Sequence, residues 1–109
     1  MEINFKDKSL RDLCNHESLA QRNLGTNMAR KLKLRLTQLS AALSMSELLV
    51  GRPHPLTEKR AGQFALDLVH PRRLVFEPDH DPIPQTEDGG IDWSQVTRVI
   101  IVYIGDYHA

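Results

Sequence analysis

The sequence has a single cysteine, Cys14, among 109 residues, which leaves no internal disulfide framework. No apolar run approaches the roughly 18 residues that a membrane helix needs. The opening Met1-Glu2-Ile3-Asn4-Phe5-Lys6-Asp7 has no apolar stretch of the kind a secretory signal carries. A cytoplasmic protein with no membrane partner is therefore expected. Histidine or cysteine pairs at zinc spacing are also missing, so neither a metal site nor a cofactor is expected. Gly89-Gly90 alone reads as a turn rather than a phosphate-cradling loop. Internal repeats and a second hydrophobic unit are absent. A single domain over residues 1–109 follows, large enough to bury roughly 65% of its unfolded surface.

Net charge is missing as well, but only on average. Residues 1–76 hold thirteen Lys/Arg against seven Asp/Glu, a net of +6. Residues 77–109 hold one Arg against seven acids, a net of −6. A basic body thus carries an acidic late segment, and a basic body suits a polyanionic partner.

What is present falls into two halves with different periods. Met1, Ile3 and Phe5 alternate with polar residues and predict a first strand over about 1–5. Leu10, Leu13 and Cys14 predict a short helix over Lys8 to Asn15, with Asp7 or Ser9 as its cap. A second helical segment runs from Glu17 to Leu24 and is interrupted at Gly25. Ala29, Leu32, Leu36 and Leu39 form one stripe of the main helix, Met28 to Leu39, with Arg30, Lys31, Lys33 and Arg35 mostly off it. Ser44 or Ser46 can cap a brief turn through Leu49.

Beyond residue 51 the pattern becomes that of strands. Arg52 to Thr57, with two prolines, predicts an irregular edge strand. Gly62 to Val69 alternates, with Phe64, Leu66 and Leu68 on one face. His70-Pro71 predicts a turn, and Arg72 to Glu77 a return strand with Arg73 on the non-core face. Residues 78–95 form a long loop with three prolines and five acids, in which Asp92 can cap one helical turn. The last strand starts at Thr97. Its run Val99-Ile100-Ile101-Val102-Tyr103-Ile104 predicts burial on both faces. It ends in Asp106, Tyr107 and His108, polar residues that no apolar strand requires. Helices early and strands late indicate α+β. Two to three helices should pack on one face of a curved, mainly antiparallel sheet of four to five strands.

The polar exceptions are His54, Arg60, Arg73, Asp106, Tyr107 and His108. By strand alternation Asp106 and His108 share a face, and Tyr107 points the other way unless the strand end twists. Together these groups suit cleavage of RNA by its own 2′-hydroxyl. That reaction needs a base for the hydroxyl, an acid for the leaving 5′-oxygen and cations for the phosphate. Histidine serves as either acid or base near neutral pH. Arginine offers phosphate a fixed fork of donors. The isolated His16, His70 and His80 read as surface or turn residues.

In order, His54-Pro55-Leu56, Arg60-x-Gly62, Gln63-Phe64-Ala65-Leu66-Asp67-Leu68, Pro71-x-Arg73-Leu74-Val75-Phe76-Glu77-Pro78 and Asp106-Tyr107-His108 resemble the HigB toxins of the RelE superfamily. These are also called plasmid-maintenance killer proteins. Glu87-Asp88-Gly89-Gly90-Ile91-Asp92-Trp93-Ser94 resembles a subgroup with a long acidic loop. Any single piece is weak, and the ordered set, covering nearly the whole chain, is specific.

The resemblance implies a RelE-like fold and the toxin of a type II toxin–antitoxin pair, a ribosome-dependent endonuclease of mRNA. It also implies a cognate antitoxin, commonly a DNA-binding helix-turn-helix protein. His54, Asp106, Tyr107 and His108 fall on the family's catalytic positions and Arg73 on its strand arginine, with Lys59, Arg60 and Arg73 expected to bind phosphate. One departure stands out. Family members often read His-Pro-Leu-Lys-Gly-Asp-Arg, and here Thr57-Glu58-Lys59 replaces the middle three. That departure motivates the alternative of a catalytically weak relative that binds an antitoxin or RNA.

Overall fold

The computed structural model describes residues 1–108. The chain runs β1 (Glu2–Phe5), α1 (Lys8–Asn15), α2 (Glu17–Leu24), α3 (Thr26–Ala41), β2 (His54–Pro55), β3 (Phe64–Asp67), β4 (Arg73–Pro78) and β5 (Arg98–Gly105). Asp7 caps α1, its carboxylate accepting from the Leu10 amide at 2.9 Å. Gly25 closes α2 by donating its N–H to the Gln21 carbonyl. The Leu stripe then carries α3 for sixteen residues, starting two residues before the predicted point and ending two after it. One predicted solvent residue turns inward. Arg35 reaches the sheet and donates through Nε to the Asp67 carbonyl at 2.8 Å.

The five strands form one mixed sheet in the order β1-β5-β4-β3-β2. β1 pairs with β5 in parallel, and the other three pairings are antiparallel. β5 therefore lies inside the sheet, as its apolar run demands. Its two faces are unequal, however. Val99 and Ile101 are fully buried, while Ile100, Val102 and Tyr103 are only half-buried. The helices cover one side only, so the expectation of burial on both faces does not hold. The core is the layer between helices and sheet, where Leu32 and Leu39 of α3 meet Leu66, Leu74, Phe76, Val99 and Ile101. Each fully buried large side chain there contributes about 1.5–3 kcal/mol relative to exposure.

Three predicted strands are shorter than their sequence pattern, the Gly62–Val69 segment pairing only over Phe64–Asp67. The Arg52–Thr57 segment pairs only at His54–Pro55, because Pro53 and Pro55 lack the N–H groups that a longer ladder uses. The last strand stops at Gly105, three residues before the predicted end. A register shift between Val75 and Phe76 interrupts the β4–β5 ladder, the kind of irregularity that bends a sheet. The acidic loop is tied at both ends. Asp79 donates its N–H to the Arg98 carbonyl and accepts from the Asn4 amide, and Trp93 packs edge-on against Phe64 with ring centroids 4.8 Å apart.

Candidate functional site

On the face away from the helices, cross-strand register defines two rows. His54, Ala65, Val75 and Tyr103 lie opposite one another across four strands. Asp67, Arg73 and Gly105 form the adjacent row. Alternation along β3 and β4 explains both, since the residues next to these in sequence feed the core. Ala65 and Val75 are fully buried and give the rows an apolar floor.

A cleft of about 720 Å³ opens beside the first row. His54, Lys59, Arg60, Gln63, Tyr107 and His108 line it, together with the Pro55–Glu58 segment. Four of the predicted site residues from distant parts of the chain thus converge: His54, Arg60, Tyr107 and His108. Lys59 joins them as an exposed cation.

The predicted orientation of the terminal trio is corrected. Gly105 ends β5, and Asp106 to His108 form a turn rather than more strand, so two-residue alternation no longer applies. Tyr107 and His108 both line the cleft, their ring centroids 4.4 Å apart. Asp106 is not part of the lining. It accepts the His108 N–H on Oδ1 at 3.0 Å and the Tyr103 hydroxyl on its carbonyl at 3.3 Å. Its role is to hold the turn that presents its two neighbours. Gly105 is needed for this packing, because a Cβ there would stand 2.8 Å from the Tyr103 hydroxyl oxygen.

His54 is oriented from both sides of its ring. Nδ1 lies 2.8 Å from the Arg52 carbonyl oxygen, which can only accept. Nδ1 therefore carries the proton in the neutral ring, and Nε2 keeps a lone pair. Nε2 lies 3.3 Å from the Tyr107 hydroxyl, which donates to it. The imidazole nitrogen best suited to take a proton is thus the one that faces the cleft-lining tyrosine.

Arg60 is fixed by a polar relay. Its Nη1 donates to Gln63 Oε1 at 2.9 Å, and Gln63 Nε2 donates to Glu77 Oε2 at 3.3 Å. The guanidinium carbon sits 4.8 Å from the Tyr103 ring centroid and 5.7 Å from that of Tyr107. Stacking on two phenols holds a cation at the cleft while leaving other N–H groups to bind.

Arg73 is not brought into the cleft lining. It is 8% exposed, with Nη1 donating to the Arg72 carbonyl at 3.1 Å. Its Nε stands 2.8 Å from Asp67 Oδ1. The N–H there is misaligned and makes no hydrogen bond, so the pair is a charge contact across the hairpin. Asp67 also accepts the fork of Arg52, Nε at 2.8 Å and Nη2 at 3.2 Å. The Arg52 hydrogen bond, with the charges of Arg73 and His54 behind it, holds the Asp67 carboxyl below its usual range. Cys14 lies far from this chemistry, and burial pushes its thiol up to about 12.

No family model matches the chain, and no curated protein matches it. Solved structures do. The YoeB-YefM complex from Staphylococcus aureus matches with a TM-score of 0.59 at 18% identity, over 100% of this chain and 98% of that one. A YoeB/ParE toxin from Agrobacterium tumefaciens matches with a TM-score of 0.55 at 16% identity, over 98% and 99%. The fold is RelE/YoeB-like.

Within this RelE/YoeB-like frame the cleft is also supported by residues that sequence reasoning passed over. Arg52, Gln63, Tyr103 and Glu77 position the groups that had been singled out. Tyr103 carried a usable signal, a phenol inside an apolar run. Arg52 carried none by residue type. His80, read as a surface histidine, instead accepts the Thr97 and Arg98 amides at 3.1 and 3.3 Å and joins the loop to the start of β5. No helix in the described residues is long and apolar enough to cross a membrane.

Proposed function

We propose that this chain is a RelE-superfamily toxin of a type II toxin–antitoxin pair, and that it cleaves mRNA on the ribosome. The observation that carries the reading is the orientation of His54 toward Tyr107 in a cleft that also holds Arg60, Lys59 and His108. In the reaction, His54 or His108 removes the proton from a ribose 2′-hydroxyl. The oxygen attacks the adjacent phosphorus, and the bond to the 5′-oxygen breaks. A 2′,3′-cyclic phosphate forms, and the leaving oxygen takes a proton from the other acid. Arg60, Lys59 and Tyr107 contact the phosphate and hydroxyls, while Asp106 holds the turn. Arg73 lends positive charge from below the cleft. The reaction as written uses side chains alone.

The fold likeness includes a toxin in complex with its partner, which supports a cognate protein antitoxin here. The ordered motifs narrow the branch to the HigB toxins and, through them, suggest a DNA-binding antitoxin and a cytoplasmic site of action. Induction in a bacterial host tests the whole. Growth arrest should follow, with primer extension mapping new cuts in translated mRNA. The purified protein with ribosomes should leave cyclic phosphate ends, and a 2′-deoxy sugar at the cut site should stop cleavage.

One observation favours a second reading, a catalytically weak relative that acts by binding. Glu58 lines the cleft and places an acid where phosphate charge must approach, with its backbone at φ 56°. Growth arrest with intact mRNA would establish that reading.

A further inference from the structure

The segment before His54 is an unusual piece of backbone. Gly51 and Arg52 both adopt positive φ, 77° and 49°. Glycine accepts this conformation freely, and arginine does so only when its surroundings hold it there. The holding group is Asp67 on β3. Its N–H donates to the Gly51 carbonyl at 2.7 Å. Its own carbonyl accepts Arg35 Nε at 2.8 Å, and the Arg35 side chain lies where a Cβ on residue 51 would stand, 2.7 Å from Nε. Its carboxylate accepts the Arg52 fork, and that hydrogen bond, with the Arg73 charge beside it, keeps the carboxylate ionised. Three separate ties from one residue thus fix a two-residue turn. The carbonyl of that turn receives His54 Nδ1–H.

We infer that Asp67, acting through Arg52, is a positioning residue that locks His54 in the Nδ1–H tautomer and aims Nε2 into the cleft. The inference rests on His54 serving as a proton-transfer group in the proposed RNA cleavage, yet the tautomer itself can be measured without any RNA. Arg52 is not among the residues that line the cleft. Its exposed guanidinium serves the turn, and the turn serves the histidine. A neutral imidazole with the other tautomer would present N–H to Tyr107 and could take no proton there.

The test compares the wild-type chain with Arg52→Ala, Arg52→Lys and Asp67→Asn. Histidine side-chain ¹⁵N shifts are read at about pH 8.5, above the usual imidazole range. His54 should be a single Nδ1–H tautomer in the wild type. One released hydrogen bond is equivalent to about a five- to tenfold change in preference. Arg52→Ala and Asp67→Asn should therefore show mixed tautomers, with Arg52→Lys between them and the wild type. Cleavage by the variants should lose kcat by a similar factor with KM unchanged. Arg52 is exposed, so Arg52→Ala should keep the fold even where Asp67→Asn weakens it. A wild-type tautomer in folded Arg52→Ala overturns the inference, as does mixed tautomer with unaltered kcat. If the wild type cleaves no RNA, the proposed reaction fails, and the ¹⁵N comparison alone still decides the positioning.

Discussion

His54 and Tyr107 are 53 residues apart in sequence, yet the tyrosine hydroxyl donates to the imidazole Nε2 at 3.3 Å. Each is presented by a turn that another residue holds, Arg52 for the histidine and Asp106 for the tyrosine. The contact gives the first prediction. His54→Ala should lower cleavage by about 10²–10⁴, the usual loss on removing a positioned acid or base. Tyr107→Phe keeps the ring over Arg60 and removes only the donor, so it should lower cleavage by about tenfold or less. Single-turnover assays of both variants check this. Equal losses would mean that the hydroxyl, not the imidazole, sets the chemistry.

His108→Ala should abolish growth arrest without lowering the melting temperature. The residue is exposed and its ring packs on Tyr107, so little packing is lost. Its backbone N–H bond to Asp106 survives the substitution. Growth arrest at equal expression would remove His108 from the mechanism. Asp106→Ala makes the contrast, because it should impair cleavage by freeing the turn, and Asp106→Asn, which keeps an acceptor, should restore much of it.

These expectations show where the sequence was legible. The helices could be read because leucine spacing and a capping aspartate are local signals that the core reinforces. Asp7 and the stripe through Leu32 and Leu39 are examples. The alternation around Phe64, Leu66 and Asp67 gave the two faces of β3 for the same reason. The end of β5 could not be read from period alone. Nothing in Tyr107 itself announces that the strand has stopped, and the controlling fact is the close approach of Tyr103 to Gly105. Arg52 was invisible for a similar reason. Its importance lies in a positive φ and in a partner fifteen residues away.

The Asp67 cluster predicts a pH dependence of stability. The Arg52 hydrogen bond, helped by Arg73, lowers the folded-state carboxyl below its unfolded value. A lowered carboxyl stabilises the fold above the unfolded pKa of about 3.9, and that stability is lost as pH falls through the folded value. Denaturation of wild type and Asp67→Asn should therefore differ by a constant amount above about pH 5 and converge in acid. A gap that persists undiminished in strong acid would show that packing, not charge, holds the cluster.

Arg73→Ala should destabilise the fold more than Arg73→Lys, because both leave a cavity at a residue only 8% exposed but lysine keeps the charge beside Asp67. Cleavage should fall in Arg73→Ala, which removes the charge beneath the cleft, and less in Arg73→Lys, which keeps it. Thermal melts beside cleavage rates separate the two effects. A variant with normal cleavage and lowered stability would make the arginine purely structural.

The acidic loop should be neutral toward cleavage. None of Asp79, Asp81, Glu87, Asp88 and Asp92 lines the cleft, in keeping with the need to keep like charge away from RNA phosphate. The loop is nevertheless not free to be cut anywhere. Asp79 and His80 are bonded to β5 and to Asn4, Asp88 accepts from Thr86 and Gly90, and Asp92 caps the turn at Trp93. A deletion beginning at residue 79 would release the start of β5, whose other end carries Tyr107 and His108. The clean test is charge removal at the two acids with no such ties in the described structure, Asp81→Asn with Glu87→Gln. Exposed charges separated by more than about 10 Å of salt solution are largely screened. The double variant should therefore cleave within about twofold of wild type at physiological salt. A tenfold gain in rate at low salt that vanishes at high salt would instead place the loop in the path of the RNA.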